Sequence, residues 1–182
     1  MKRRLFAAIS VAALAIAAFA AGSNPVVGGQ EMYPTKNIIE NAINSADHTT
    51  LVAAVKAAGL VETLEGPGPF TVFAPTNEAF DKLPAGTVDT LLKPENEALL
   101  TKILTYHVVA GRLSAHDLMK MIKEGNGKAE LTTVEGGKLW AMEDGKKIVL
   151  KDEKGGMATV TIANVFQSNG VIHVIDAVVM PN

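Results

Sequence analysis

The sequence predicts an α+β fold whose strands are mainly antiparallel. Apolar residues recur at helical spacing through most of the first two thirds of the chain. The last third instead holds short β-branched runs, which glycines at positions 136, 137, 145, 155 and 156 separate. An apolar stretch at 169–181 closes the chain, directly after the alternating stretch 159–166. Helices segregated from strands in this way indicate antiparallel pairing and disfavour alternating βαβ units.

The closing stretch is predicted to be an inner strand of the sheet. Asn169-Gly170 is a dipeptide that tolerates positive φ, so a tight hairpin turn is expected there, with 159–166 as the antiparallel partner. From 171 to 180 both strand faces are apolar apart from His173 and Asp176, which is typical of a strand buried on both sides. Pro181 has no N–H to donate and is expected to end the strand.

Seven helices are predicted from apolar spacing and from capping residues. Gly59 and Gly125 follow two of them, where a left-handed residue commonly ends a helix. Ser114 is expected to cap the last helix, and either Asn77 or Thr76 the fourth. In chain order the predicted helices span residues 38–45, 50–58, 61–64, 77–82, 87–92, 96–104 and 115–123.

Five further strands are predicted, at residues 70–74, 106–109, 131–134, 138–142 and 147–151. Pro75 and Gly111 are expected to end the first two, and Asp144-Gly145 is a hairpin turn signal between the last two. The charged residues around that hairpin, Asp152 and Glu153 included, are interpreted as ordinary solvated charge.

The domain organisation is predicted to have three parts. A basic start, an apolar Ala-rich run and Ala18-Phe19-Ala20 make residues 1–20 a signal peptide, with an N-terminal membrane anchor as the alternative. Residues 21–34 lack periodicity and are expected to form a flexible leader, and 35–182 a single domain. No later segment has 18 uninterrupted apolar residues, so we expect no stable membrane insertion after signal removal and a secreted or periplasmic protein.

Composition excludes several classes of function. The chain has no Cys, which rules out thiol catalysis and cysteine metal sites. Without the three basic residues at positions 2–4, the 17 basic side chains become 14, against 19 acidic ones. That balance disfavours nucleic acid as a partner. A single Trp gives no stacking platform for bases or sugars. We expect a monomer without a cofactor.

Three segments together resemble the fasciclin (FAS1) domain family, in particular its small secreted bacterial single-domain members. The segments are 71–80 (Thr-Val-Phe-Ala-Pro-Thr-Asn-Glu-Ala-Phe), Tyr106-His107, and 169–176 (Asn-Gly-Val-Ile-His-Val-Ile-Asp). They occur in the family's order, and the resemblance covers about residues 35–182. The signature positions matched are Thr71, Phe73, Pro75, Thr76, Asn77, Phe80, Asn169, Gly170, His173 and Asp176.

The resemblance implies a wedge of two mainly antiparallel sheets with several helices packed around one end. It also implies adhesion or extracellular protein contact without catalysis. Two segments are implied as interaction residues. The first is Tyr106, His107, Val108 and Val109. The second is Asn164-Val165, which stands where animal matrix members carry an Asp-Ile pair linked to integrin binding. Because an amide lacks the carboxylate, integrin-type recognition is not implied here.

The histidines and Asp176 are expected to have structural roles and not catalytic ones. His107 has no nucleophile elbow or second acid spaced to serve it, so we expect an imidazole hydrogen-bonded at both nitrogens. His173 and Asp176 lie three apart on one strand and therefore point to opposite faces; Asp176 is expected to accept backbone N–H groups near a loop. The four His residues show no metal spacing.

Three functions are compared on this basis. The main hypothesis is a secreted adhesion or interaction module for a cell-surface or matrix protein or glycan. The alternative is a periplasmic small-ligand carrier that uses a cleft between the sheets. An exported hydrolase ranks third, because it would require a pocket with converging polar groups.

Overall fold

A computed structural model of the chain describes residues 24–182. Its helices are α1 (Ile38–Asn44), α2 (Thr49–Ala57), α3 (Val61–Glu65), α4 (Asn77–Asp81), α5 (Thr87–Leu91), α6 (Glu97–Tyr106) and α7 (Ala115–Glu124), with 3₁₀ turns at Ala46–His48 and Pro94–Asn96. Its strands are β1 (Val26–Val27), β2 (Gln30–Glu31), β3 (Phe70–Pro75), β4 (Val108–Ala110), β5 (Lys128–Thr132), β6 (Lys138–Asp144), β7 (Lys147–Lys151), β8 (Met157–Gln167) and β9 (Gly170–Ile175). The predicted signal peptide lies outside the described residues.

Seven strands form one strongly bent sheet in the order β4-β3-β9-β8-β7-β6-β5. Neighbours pair antiparallel, except that β3 runs parallel to β9. The long strand β8 joins the two halves, because its start pairs with β7 and the rest, through two register shifts, pairs with β9. A bridge from Val109 to Thr133 then brings the two edges together. The predicted α+β class with mainly antiparallel pairing is confirmed.

Strand β9 lies inside the sheet and is buried along its whole length. Ile172 and Val174 face a core, here called the helix-side core, that the sheet shares with the helices before β4. Ile175 faces a second core, the meander-side core, which the two sheet halves share with α7. The prediction of an inner strand flanked by apolar groups on both faces is confirmed.

The strand ends earlier than the sequence predicts, at Ile175 and not at Pro181. At Asp176 the backbone N–H still donates to the Thr159 carbonyl (3.1 Å), but the Thr159 N–H bonds to the Asp176 carboxylate (2.7 Å) and not to its backbone carbonyl. The chain then leaves the sheet, and residues 176–182 form a segment without regular structure, here called the C-terminal strap.

The predicted positive-φ turn at Asn169-Gly170 is wrong. Gln167 pairs with Gly170, so the two loop residues are Ser168 and Asn169, and neither they nor Gly170 has positive φ. Gly170 meets a different demand, since a Cβ there would lie 2.2 Å from the backbone oxygen of Phe70 on β3. The glycine allows the close approach of two parallel strands.

The expectation of a flexible leader over 21–34 is wrong for residues 24–34. Strands β1 and β2 form a hairpin whose loop, Gly28-Gly29, has φ of 58° and 76°. Val27 and Met32 are 3% and 2% exposed and belong to the helix-side core. A Gly-Gly pair between short strands is itself a hairpin signal, but these strands have only two residues each and show no alternation.

A smaller difference concerns the boundary between α6 and β4. The strand predicted to start at Tyr106 starts at Val108, because α6 continues through Tyr106 and the His107 N–H still bonds to Leu104. In the part of the chain that the structure describes, no helix has both the length and the apolar character needed to span a bilayer.

Candidate functional site

His107 sits at the C-cap of α6 and is 2% exposed. Its Nε2 accepts the Val179 N–H at 3.2 Å, so its protonated Nδ1 donates to the Ile103 carbonyl at 2.8 Å. The expectation of hydrogen bonds at both nitrogens is confirmed. Burial lowers the pKa of His107 to about 4, against a small opposing effect of the Ile103 carbonyl and Asp152. The neutral ring fastens the C-terminal strap to α6.

Tyr106 is fully buried, and its hydroxyl makes two hydrogen bonds. The hydroxyl donates to the Lys138 carbonyl at 2.5 Å and accepts the Glu153 N–H at 3.2 Å. Burial raises the pKa of Tyr106 to about 12. The ring passes so close to Gly137 that a Cβ there would lie 3.0 Å from it. Tyr106 therefore connects α6 to the start of β6 and to the loop after β7.

The C-terminal strap is held by side-chain acceptors along its length. Besides His107, Asp152 accepts the Met180 N–H at 2.9 Å, and Glu153 accepts the Asn182 N–H at 3.1 Å. The second Asp152 oxygen accepts the Gly156 N–H at 2.6 Å, and Asp152 is only 3% exposed. The interpretation of Asp152 as solvated charge is wrong, because its carboxylate is buried and accepts two backbone amides.

Most of the predicted interaction residues are buried. The exposed fractions of Tyr106, His107, Val108 and Val109 are 0%, 2%, 6% and 5%, and that of Val165 is 1%. Val108 and Val165 lie in the helix-side core, whereas Tyr106 and Val109 lie in the meander-side core. A partner cannot contact these side chains in this structure.

Asn164 occupies one of the register shifts of β8, with φ of 60°. Its side-chain oxygen accepts the Ala115 N–H at the start of α7 (2.7 Å), and its own N–H is donated to His173 Nδ1 (3.3 Å). Asn and Asp tolerate the left-handed region better than other non-glycine residues. Within the fold this amide positions α7 against β8.

His173 is completely buried and stacks on Phe73 with ring centroids 5.7 Å apart. Since Nδ1 accepts from Asn164, Nε2 carries the proton and donates to the Leu113 carbonyl at 2.7 Å. Burial lowers the pKa of His173. Asp176, in contrast, is partly exposed, and the Lys82 ammonium lies 4.0 Å from its carboxylate. Its expected role as an acceptor for a backbone N–H is confirmed by the Thr159 bond.

The residues of the segment 71–80 join distant loops. Thr71 donates its hydroxyl to Gly111 and accepts from the Leu113 N–H. Thr76 is the cap of α4, which resolves the choice left open by the sequence. Asn77 instead accepts the Thr50 N–H at 3.0 Å and so serves the start of α2. Pro75 ends β3 next to β9, and Phe80 is 6% exposed in the helix-side core.

Asn169 links the β8–β9 loop to the helical layer. Its side-chain oxygen accepts the Ile38 N–H at 3.0 Å, and its amide nitrogen donates to the carbonyls of Leu64 and Gly66 at 2.7 and 2.8 Å. Asn169 is 6% exposed, the bonds to Ile38 and Leu64 are buried, and the bond to Gly66 is partly buried. These partners lie more than 100 positions away in the sequence, so local patterns could not identify them.

An apolar cavity of about 60 Å³ lies between the helical layer and the sheet, not between the sheet halves. Its walls include Val55, Leu64 and Val174. His48 lies on the wall with Nδ1 bonded to Ser45, while Nε2 has no hydrogen-bond partner of ordinary geometry among residues 24–182. Burial lowers the pKa of His48, although the nearby Ala74 backbone opposes this. No group of three or more His, Asp or Glu within 24–182 is arranged to hold a metal ion.

Comparisons with known proteins agree with one another. The family model of the fasciclin domain matches residues 46–181. Protein sll1483 of Synechocystis is 46% identical over 190 residues, covering 96% of this chain and 97% of that protein. Cell surface glycolipoprotein MPB83 of Mycobacterium bovis is 37% identical over 145 residues, covering 77% of this chain and 58% of that protein. A solved FAS1 domain pair from the insect cell adhesion molecule Fasciclin I matches with a TM-score of 0.69 at 20% identity, over 78% of this chain and 50% of that one.

Proposed function

Because the chain belongs to the fasciclin domain family, we propose that it is an extracellular adhesion or protein-interaction module, which binds a cell-surface or matrix protein or glycan without catalysis. The observation that carries the proposal is the likeness of its fold to a domain pair of a cell adhesion molecule, over 78% of this chain. The similarity to a cell surface glycolipoprotein supports a secreted or periplasmic location. The module acts as a monomer.

The environment of the signature residues supports a binding scaffold. His107 and His173 are buried, neutral and hydrogen-bonded at both ring nitrogens, so neither is free to exchange a proton with a substrate. Tyr106 and Asn164 likewise use their polar atoms on backbone groups of neighbouring segments. We propose that these residues support adhesion indirectly, by fixing the strap and α7, and that partners contact other, exposed residues.

Binding of the purified, processed protein to its host's cells and to extracted extracellular material tests the proposal. We expect saturable binding by the folded protein and none by a heat-denatured sample of the same preparation. A Tyr106→Ala/His107→Ala variant is unsuitable, because both side chains are buried and their loss would unfold the strap. Absence of saturable binding to every extracellular surface, with the protein shown to be folded, would contradict the proposal.

The alternative function, a small-ligand carrier, is favoured by one observation, the apolar cavity beside His48. Its volume of about 60 Å³ is well below the roughly 300 Å³ of ordinary ligand pockets, so a ligand would have to part the helices from the sheet. A native mass spectrum of the protein purified from its own host checks this. A co-purifying small molecule, lost in a Val55→Trp variant that fills the cavity, would favour the carrier over the adhesion module.

A further inference from the structure

The meander of β5 to β8 has one face that belongs to neither core. Inward residues such as Leu139, Ala141 and Leu150 are fully buried in the meander-side core, on which α7 also packs through Leu118. The alternate residues of the same strands point the other way, because side chains on a strand alternate between faces. On this outer face Lys147, Lys151 and Met157 are exposed, and Trp140 and Met142 are partly exposed.

Cross-strand pairing places four apolar side chains together on the outer face. Trp140 pairs with Lys151, which pairs with Met157, and in the adjacent row Met142 pairs with Val149. Met157 is 58% exposed, yet Val149 is only 6% exposed although it belongs to neither core. Its neighbours across the strands are Met142 and Thr159. We call Trp140, Met142, Val149 and Met157 the meander patch.

Lysines surround the meander patch. The side chain of Lys128 lies over the Trp140 ring, 4.5 Å from its centroid, and Lys138 pairs with Glu130 at 2.9 Å. Lys147 and Lys151 are exposed on β7, the strand that also carries Val149. With these four lysines against the outward carboxylates of Glu130 and Asp144, the face carries a net positive charge. The described residues as a whole carry the opposite sign, since 14 basic side chains stand against 19 acidic ones.

We infer that the meander patch and its lysines bind an extended, acidic peptide segment of a partner protein that also offers an apolar side chain. This rests on the proposed function and names the partner class for it. Trp and Met are enriched at the centres of protein interfaces, and Met adapts its shape to different partners. The surrounding lysines select a partner of opposite charge and speed up the encounter.

The size of the patch favours a segment over a folded partner. Four strands about 4.8 Å apart and three rows of outward residues about 7 Å apart give roughly 200 Å². A stable complex between folded proteins buries about 800 Å² on each side, so this face alone does not hold a second folded copy. It suits a short strand-like segment that alternates carboxylates with apolar side chains.

The chain's single Trp reports directly on the site, because Trp140 lies in the patch. The probe is a capped pentapeptide that alternates Glu and Leu, and the control peptide has Lys in place of Glu. We expect a saturable change in Trp140 emission with the acidic peptide, several-fold weaker at high salt, and none with the basic one. No saturable change with the acidic peptide, or equal responses to both peptides, would overturn the inference.

Charge reversal locates the site. Lys147→Glu/Lys151→Glu should weaken peptide binding at least about tenfold, and Met157→Ser several-fold, because rim charge and apolar contact are lost separately. Lys56→Glu, an exposed lysine on α2, is the matched control and should leave binding unchanged. All variants must keep the wild-type melting temperature. Equal weakening by Lys56→Glu, or no effect of the double reversal, would contradict the assignment.

Other acidic macromolecules are outcomes of the same assay. Phosphatidylglycerol vesicles or polygalacturonate that change Trp140 emission where the peptide does not would overturn the peptide assignment. The double reversal is also carried into the cell-binding assay. If the wild type and the reversal variant bind host cells equally, the meander patch is not the binding site, while the adhesion proposal stands. If the protein binds the peptide but no cells, the adhesion proposal is refuted, while the peptide site on the meander patch stands.

Discussion

Asn169→Ala is the perturbation that tests most directly how the terminal hairpin is tied to the helices. The side chain satisfies the Ile38 N–H and the carbonyls of Leu64 and Gly66, and it is 6% exposed. Each buried backbone group left without a partner costs about 1–3 kcal/mol. Water entering the vacated space will recover part of this, so we expect a loss of about 3 kcal/mol. For a domain of this size that lowers the melting temperature by about 6–12 °C.

The neighbouring Ser168→Ala is the matched control, because Ser168 shares the loop but is exposed. It should change the free energy of unfolding by less than about 0.5 kcal/mol. Urea denaturation gives the free energies, and hydrogen exchange gives a local readout, since the Ile38 amide should exchange faster in Asn169→Ala. If Asn169→Ala unfolds within about 0.5 kcal/mol of wild type, or the Ile38 amide keeps its protection, the account of Asn169 is refuted.

Three further predictions concern His107, Asp176 and Gly170. Stability should fall on acidification, because the pKa of His107 is about 4 in the folded protein and near 6.5 in the unfolded chain. The neutral ring's contribution to the free energy of unfolding is complete above pH 6.5, and about 2 kcal/mol of it is lost by pH 5. His107→Gln should remove this pH-dependent loss in urea titrations. Asp176→Ala should cost about 1 kcal/mol, or 2–4 °C in melting temperature, by leaving the Thr159 N–H without its acceptor. Gly170→Ala should cost about 2–3 kcal/mol in calorimetry, because its Cβ would meet the Phe70 oxygen at 2.2 Å.

Each of these has an outcome that contradicts it. An unchanged acid slope in His107→Gln would show that another group sets the slope; His48 and His173 have the same sign of shift. If Asp176→Ala melts at the same temperature as wild type, the hydrogen bond to the Thr159 N–H does not stabilise the fold. For Gly170, the comparison is Gly145→Ala, where φ is 63° but the space is open. A smaller loss of stability in Gly170→Ala than in Gly145→Ala would contradict the claim that Gly170 allows the close approach of β9 and β3.

Much of the fold follows from local pattern. The apolar run in β9 predicts a strand buried on both faces, and the structure has one. Capping by Ser114 and helix termination before Gly125 are found at the predicted ends of α7. Both depend on neighbours within a few positions, which is the range over which periodicity and capping act. The two-residue strands of β1 and β2 are too short for any period to show.

The candidate site was harder to predict because its residues act at long range. The sequence shows Tyr106 and His107 as an unusual pair. It does not show that their polar atoms point inward and bond to Lys138 and Val179. Asp152 sits among charged residues and has the composition of a surface turn, yet it is buried. The meander patch depends on which residues of four strands share a row, and register is set by pairing across the sheet.

By itself, the sequence determined the class of fold, the order of nearly all elements and the three segments that carry the family resemblance. The reason is that helix and strand periods, caps and turn residues are properties of neighbouring positions. Tertiary structure alone decided that β3 runs parallel to β9, that Gly170 serves close approach and not a turn, and that Asn169 reaches Ile38. Those features arise only when segments far apart in the chain are brought into contact, because burial and hydrogen-bond partners are then shared between them.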